Sequence, residues 1–284
     1  MRAIPKKEKN LILIMTAIGF LLAVAQIAAT CLNYDPAVFL YDYKAVLPTV
    51  VTWLMVVYVI ASLVLCFILK KAEYPESQAS ATLITRVLSL LCGAALLTSG
   101  LSNLYVWQQH SENMMYIPSR QDTFIMWTGI VSIAGCVYFV LNFIFPDRKK
   151  KLKAWFGCAT IVWYILFVLA IYFDMTSPLN DPLRLIEEFA LVAAMMFIVS
   201  EIRFSIQIPK KAFYISVSLI AFMLLCASSF AKLFCAVNGK LPMSYATFGH
   251  VYELVMAGYI LSRLISYLGH SEEVKEEITE EEKT

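Results

Sequence analysis

Eight apolar runs, at roughly residues 11–31, 47–69, 82–107, 123–145, 154–175, 183–205, 213–236 and 249–268, are each long enough to cross about 30 Å of hydrocarbon. A chain in lipid must satisfy its backbone polar groups internally, so such runs can only be helices or barrel strands. Strands are excluded because runs such as Leu11 to Met15 are apolar on every face, whereas barrel strands alternate polar and apolar over about ten residues. The sequence predicts an all-α integral membrane protein of eight transmembrane helices. Of its 284 residues 60% are hydrophobic, and eight spans of about 21 residues use nearly all of them. Charged residues make up 15%, mean hydropathy is +0.70 and the formal net charge is only +2. These values exclude a water-soluble enzyme, a disordered chain and a nucleic-acid partner.

Lys and Arg outside the runs fix the expected orientation. Sixteen fall on one side: Arg2, Lys6, Lys7 and Lys9; Lys70 and Lys71; Arg148 to Lys151 and Lys153; Arg203, Lys210 and Lys211; Lys275 and Lys283. Three fall on the other: Lys44, Arg120 and Lys240. The basic side is expected in the cytoplasm, so both termini should face inward in the plasma membrane. The first run is longer than a signal-peptide core, and Thr30 before Cys31 suits a lipoprotein cleavage site poorly, so this run reads as a retained span. No connection exceeds about 15 residues, which leaves no room for a further folded domain. The aromatic outward loop at 32–46, with Tyr34, Phe39, Tyr41 and Tyr43, reads as an interfacial anchor, as do Tyr105, Trp107, Tyr172, Tyr245 and Tyr252 at the same expected height.

Shifting the chain by 129 residues lays the third run on the seventh and the fourth on the eighth. Seven identities result, including Ser99/Ser228, Gly129/Gly258 and Tyr138/Tyr267. A repeat of this kind would describe one polytopic domain with parallel four-helix halves, 1–145 and 146–268, followed by an acidic cytoplasmic tail at 269–284. Chance agreement between Leu- and Ser-rich helices is the alternative.

An ionised group inside a span costs about 2.5–3.5 kcal/mol, so the charges that persist there are the best candidates for function. Glu187 and Glu188 in the sixth helix, Lys232 in the seventh and Glu253 in the eighth share one layer near the outer surface. Ser228 lies one turn before Lys232, and His250 and Asp174 can close the layer. This layer is read either as a register-fixing network or as a site for a polar solute or a coupling proton. A weaker inner cluster comprises Arg86, Glu201 and Arg263.

Catalytic motifs are absent, and the usual phosphate, dinucleotide and zinc signatures do not occur. His110, His250 and His270 are scattered singly, which argues against a metal site. No cofactor is expected. The seven cysteines fall in predicted helices and read as small apolar residues, with Cys31 and Cys235 the one pair placed for a disulfide.

The stretch Asp174-Met-Thr-Ser-Pro-Leu-Asn-Asp-Pro182, followed by Glu201-Ile-Arg203, resembles a segment of uncharacterised multi-pass membrane proteins of clostridial and related Gram-positive bacteria. The resemblance implies a bacterial plasma membrane and brings no activity with it. A small solute or proton-coupled carrier using the outer layer is the leading expectation. The alternatives are a non-transporting sensor, scaffold or accessory subunit with a membrane-protein partner, and an intramembrane lipid-modifying enzyme.

Overall fold

The computed structural model describes residues 6–69, 81–112, 119–146, 148–175, 178–239 and 247–281. Eight helices lie among them: α1 (Lys6–Asn33), α2 (Val46–Leu69), α3 (Leu83–Glu112), α4 (Arg120–Ile144), α5 (Lys150–Tyr172), α6 (Pro182–Ser205), α7 (Lys211–Val237) and α8 (Thr247–Glu281). Seven are long and apolar enough to cross a membrane. The exception is α6, whose 24 residues include Arg184, Glu187, Glu188, Glu201 and Arg203. Lys70, Lys71, Lys240, Tyr245 and part of the Asp174–Pro182 stretch lie outside the described residues, as do the side chains of the acidic tail.

The helices group as six and two. From α3 to α8 each packs on its successor, and α8 returns to α3, closing a ring; α1 and α2 lie outside it against α7. Within this grouping the covered helix is α7, whereas α3, onto which the 129-residue shift lays it, packs chiefly on α4 and α8. With α1, α2, α6 and α8 around it, α7 buries every residue from Tyr214 to Ser229. By contrast α1 and α2 expose Leu21, Trp53 and Phe67, an apolar surface that only lipid tails match.

Two devices hold the ring. At the α3–α4 crossing, Gly100 and Gly129 let the backbones approach: a Cβ at Gly100 would stand 1.7 Å from Ser132 Oγ, and one at Gly129 would stand 2.9 Å from Gly100 O. Small residues at a crossing are how helices associate where no hydrophobic force separates them from lipid. The ring interior is filled by aromatic side chains. Trp163 meets Tyr252 edge-on at 5.1 Å, and Phe139 meets Tyr259 at 5.9 Å. Tyr164 and Tyr252 share a hydroxyl hydrogen bond of 2.7 Å. Tyr252 is thus a core residue and not the interfacial anchor expected from its height, since its hydroxyl has a buried partner on α5.

The outer loop also departs from expectation. It folds as a two-stranded hairpin, β1 (Tyr34–Asp35) and β2 (Leu40–Tyr41), with Tyr34 opposite Tyr41. Both rings turn inward: the Tyr41 hydroxyl accepts from Gln26 Nε2 at 2.7 Å, and the Tyr34 hydroxyl donates to Asp181 Oδ1 at 3.3 Å. The hairpin therefore ties α1 to the start of α6, while Tyr43 is exposed. Hereafter this end of the bundle is the hairpin end, and the opposite one the terminal end. No disulfide joins any of the seven cysteines, Cys31 and Cys235 included.

Candidate functional site

The start of α6 is positioned by its own sequence. Asp181 caps it by accepting from Leu183 N at 3.0 Å, and Pro182 occupies the first turn, where no amide donor is needed. Burial pushes the Asp181 carboxyl above the ordinary carboxylate range, partly offset by the Leu183 amide and the charge of Lys232. One turn on, Arg184 donates to Tyr172 O at 2.6 Å and Asp174 O at 3.0 Å. It thereby satisfies carbonyls at the end of α5 that have no helical partner. These contacts fix the rotation of α6 and aim Glu187 into the ring.

Glu187 is the hub of the layer. Its Oε2 accepts from Lys232 Nζ on α7, and its Oε1 stands 3.5 Å from His250 Nδ1 on α8. The same His250 nitrogen lies 3.7 Å from Glu253 Oε1, one turn along α8. Glu253 is fully buried, and neither of its carboxylate oxygens has a hydrogen-bond partner. The layer therefore joins three helices as expected, with one correction: Lys232 reaches only the carboxylate of α6, and the link from α6 to α8 runs through His250.

Two further expectations are corrected. Glu188 turns away and pairs with Arg184 at 3.3 Å, because adjacent helix positions face about 100° apart. Ser228 is buried with an unpartnered hydroxyl and does not line the cavity described next.

That cavity, of 380 Å³, lies at the hairpin end. Its polar lining includes Asn103 of α3, Gln121 of α4, Arg184 and Glu187 of α6, Lys232 and His250, with Asp174 and Asp181 from the α5–α6 connection. Glu253 lies behind the lining, reached through His250. In the lining itself Asp174, Asp181 and Glu187 stand with Arg184, Lys232 and His250. Asn103, Gln121 and Asp181 were not anticipated. For Asn103 there was a signal, since it is the residue that falls on Lys232 when the chain is shifted by 129.

At the terminal end, Glu201 and Arg263 form a buried pair with N–O distances of 3.3 Å, and Tyr214 donates to Glu201 at 2.9 Å. Arg86 does not join them. It donates to Phe143 O at 3.0 Å and lies over the Phe143 ring, so the expected inner cluster reduces to a pair plus a tyrosine. Between the two polar layers stands the aromatic packing of Phe139, Trp163, Tyr164, Tyr252 and Tyr259. No protein family, curated protein or solved structure matches the chain, so the reading of this site rests on its geometry.

Proposed function

We propose that the protein is a small carrier whose eight helices all span the plasma membrane, with both termini cytoplasmic and the hairpin end facing outward. Its charged layer of Glu187, Lys232, His250 and Glu253 binds a polar solute or a coupling proton. The observation that carries this reading is the 380 Å³ cavity whose lining reaches Glu187, Lys232 and His250. Its support also includes the opposite end, where the Glu201–Arg263 pair and the aromatic packing fill the same ring. A ring with a cavity at one end and packed side chains at the other is what alternating access needs in one of its two states. The orientation follows from the excess of Lys and Arg beside the terminal end. The low hydropathy of α6 is compatible with spanning because its long charged side chains face partners within the bundle.

The test uses the full chain in lipid vesicles loaded with a pH-sensitive dye, offered labelled amino acids, sugars and divalent cations in turn. Wild type should accumulate one of these probes or admit protons well above empty vesicles. Lys232→Met and Glu253→Gln should cut that flux more than about tenfold while remaining folded, Lys232→Met with a lowered melting temperature because it leaves Glu187 without its partner. Wild-type flux equal to empty vesicles for every probe, together with a stoichiometric protein partner in mild detergent, would replace the carrier with a scaffold or accessory subunit.

A further inference from the structure

The geometry points to a divalent transition-metal ion as the occupant of this layer, bound by Glu187 Oε1, His250 Nδ1 and a Glu253 carboxylate oxygen. The three donor atoms lie within 4.8 Å of one another. In a tetrahedral shell with bonds of about 2.1 Å, neighbouring donors stand about 3.4 Å apart. The His250 nitrogen is already 3.5 Å from Glu187 and 3.7 Å from Glu253. The two carboxylate oxygens, within 4.8 Å of each other, need close by at most about 1.4 Å, which side-chain rotation of two glutamates can supply.

The independent observation is Glu253 itself. A fully buried carboxyl with both oxygens unpartnered is an expensive group to retain in a bundle. It sits behind His250, whose Nδ1 at 3.7 Å is too far for a hydrogen bond. A metal ion placed between Glu187, His250 and Glu253 removes that deficit at once, whereas a solute confined to the cavity touches only the first two. The donor set selects the ion: an imidazole with two carboxylates suits zinc, manganese or iron(II), while calcium and magnesium take oxygen shells. Glu187 and His250 line the cavity, so the remaining coordination position is open to water or an exchanging ligand.

Lys232 holds the other oxygen of Glu187. It therefore orients a ligand without occupying the metal position, and its charge weakens the grip on a second cation beside it. A carrier needs such a counterweight, since an ion bound too tightly is not released. This inference rests on the carrier reading for movement of the ion, and not for its binding.

The experiment is titration of the chelator-stripped full chain in lipid nanodiscs with zinc chloride by calorimetry, and with cobalt(II) by its visible spectrum. One ion per chain is expected, with the cobalt bands of a nitrogen–oxygen shell. His250→Gln and the near-isosteric Glu253→Gln should each weaken binding more than about tenfold, and Lys232→Met should bind at least as tightly as wild type. Absence of stoichiometric zinc binding in wild type, or binding that neither variant weakens, overturns the inference. Zinc bound as expected but flux absent for all probes sinks the carrier reading alone. Solute flux that depends on Lys232 and Glu253 without zinc binding sinks the metal alone.

Discussion

Replacing Arg263 by Met tests whether the pair at the terminal end supports the fold. Both partners are almost fully enclosed, with side-chain exposures of 8% for Arg263 and 4% for Glu201. Breaking a buried pair by removing one partner costs about 3–5 kcal/mol, because the other charge is stranded. One feature lowers that figure here. Tyr214 still donates to Glu201 after the substitution, at 2.9 Å, and one hydrogen bond to a charged group offsets about 1.5 kcal/mol.

The expected loss is therefore about 2–3 kcal/mol, equivalent to a fall in melting temperature of roughly 4–9 °C for a chain of this size. Thermal unfolding in lipid nanodiscs, followed by tryptophan fluorescence, reads it directly. The double variant Arg263→Met with Glu201→Gln removes the stranded charge and keeps an acceptor for Tyr214, so it should regain at least half of the loss. If the two single losses instead add in the double variant, the pair is not coupled, and the reasoning from buried charge is wrong.

Two smaller predictions concern packing and capping. Gly129→Ala should lower stability by about 1–3 kcal/mol, since its Cβ would stand 2.4 Å from Leu104 and 2.9 Å from the Gly100 carbonyl, and backbone cannot rotate aside; a melting curve matching wild type would contradict the close crossing. Asp181→Asn keeps the α6 cap, since both residues cap well, but removes a carboxyl that burial makes reluctant to ionise. With its folded value raised, Asp181 contributes most when protonated and loses that contribution as pH rises through the folded value. The Asn variant should therefore gain on wild type as pH rises above about 4 and show no advantage below it; an advantage that instead grows on acidification would contradict the burial of Asp181.

Helix positions were legible because apolar runs of span length have few alternatives. The expected run at 123–145 became α4 at Arg120–Ile144, and that at 183–205 became α6 at Pro182–Ser205. The hairpin at Tyr34–Tyr41 was not legible, since two-residue strands leave no alternation to detect, and the inward turn of its tyrosines depends on Gln26 and Asp181, distant in sequence. The layer of Glu187, Lys232, His250 and Glu253 was legible as a height, because topology alone sets which residues share a depth. Its wiring was not, because rotation about each helix axis decides whether Glu187 or Glu188 faces Lys232. Of the two carboxylates beside His250, Glu253 is visible in the spacing, three residues on along α8, whereas Glu187 comes from α6 and sequence spacing carries no trace of it.

The case of α6 shows where such reading stops. Taken alone it is the least membrane-like helix, with five charged residues in 24. In the bundle the charges are answered: Glu187 by Lys232, Glu188 by Arg184, Glu201 by Arg263 and Arg203 by the Ile208 carbonyl at 3.3 Å. The insertion cost of an isolated charged residue does not apply to a pair that enters as a unit, because attraction across the helix interface offsets much of the lost hydration. Partners for α6 come from the end of α5 as well as from α7, α8 and α6 itself, so its stability depends in part on helices that follow it in the chain. Polar layers that complete only with α7 and α8 in place tie the making of the site to the closing of the ring.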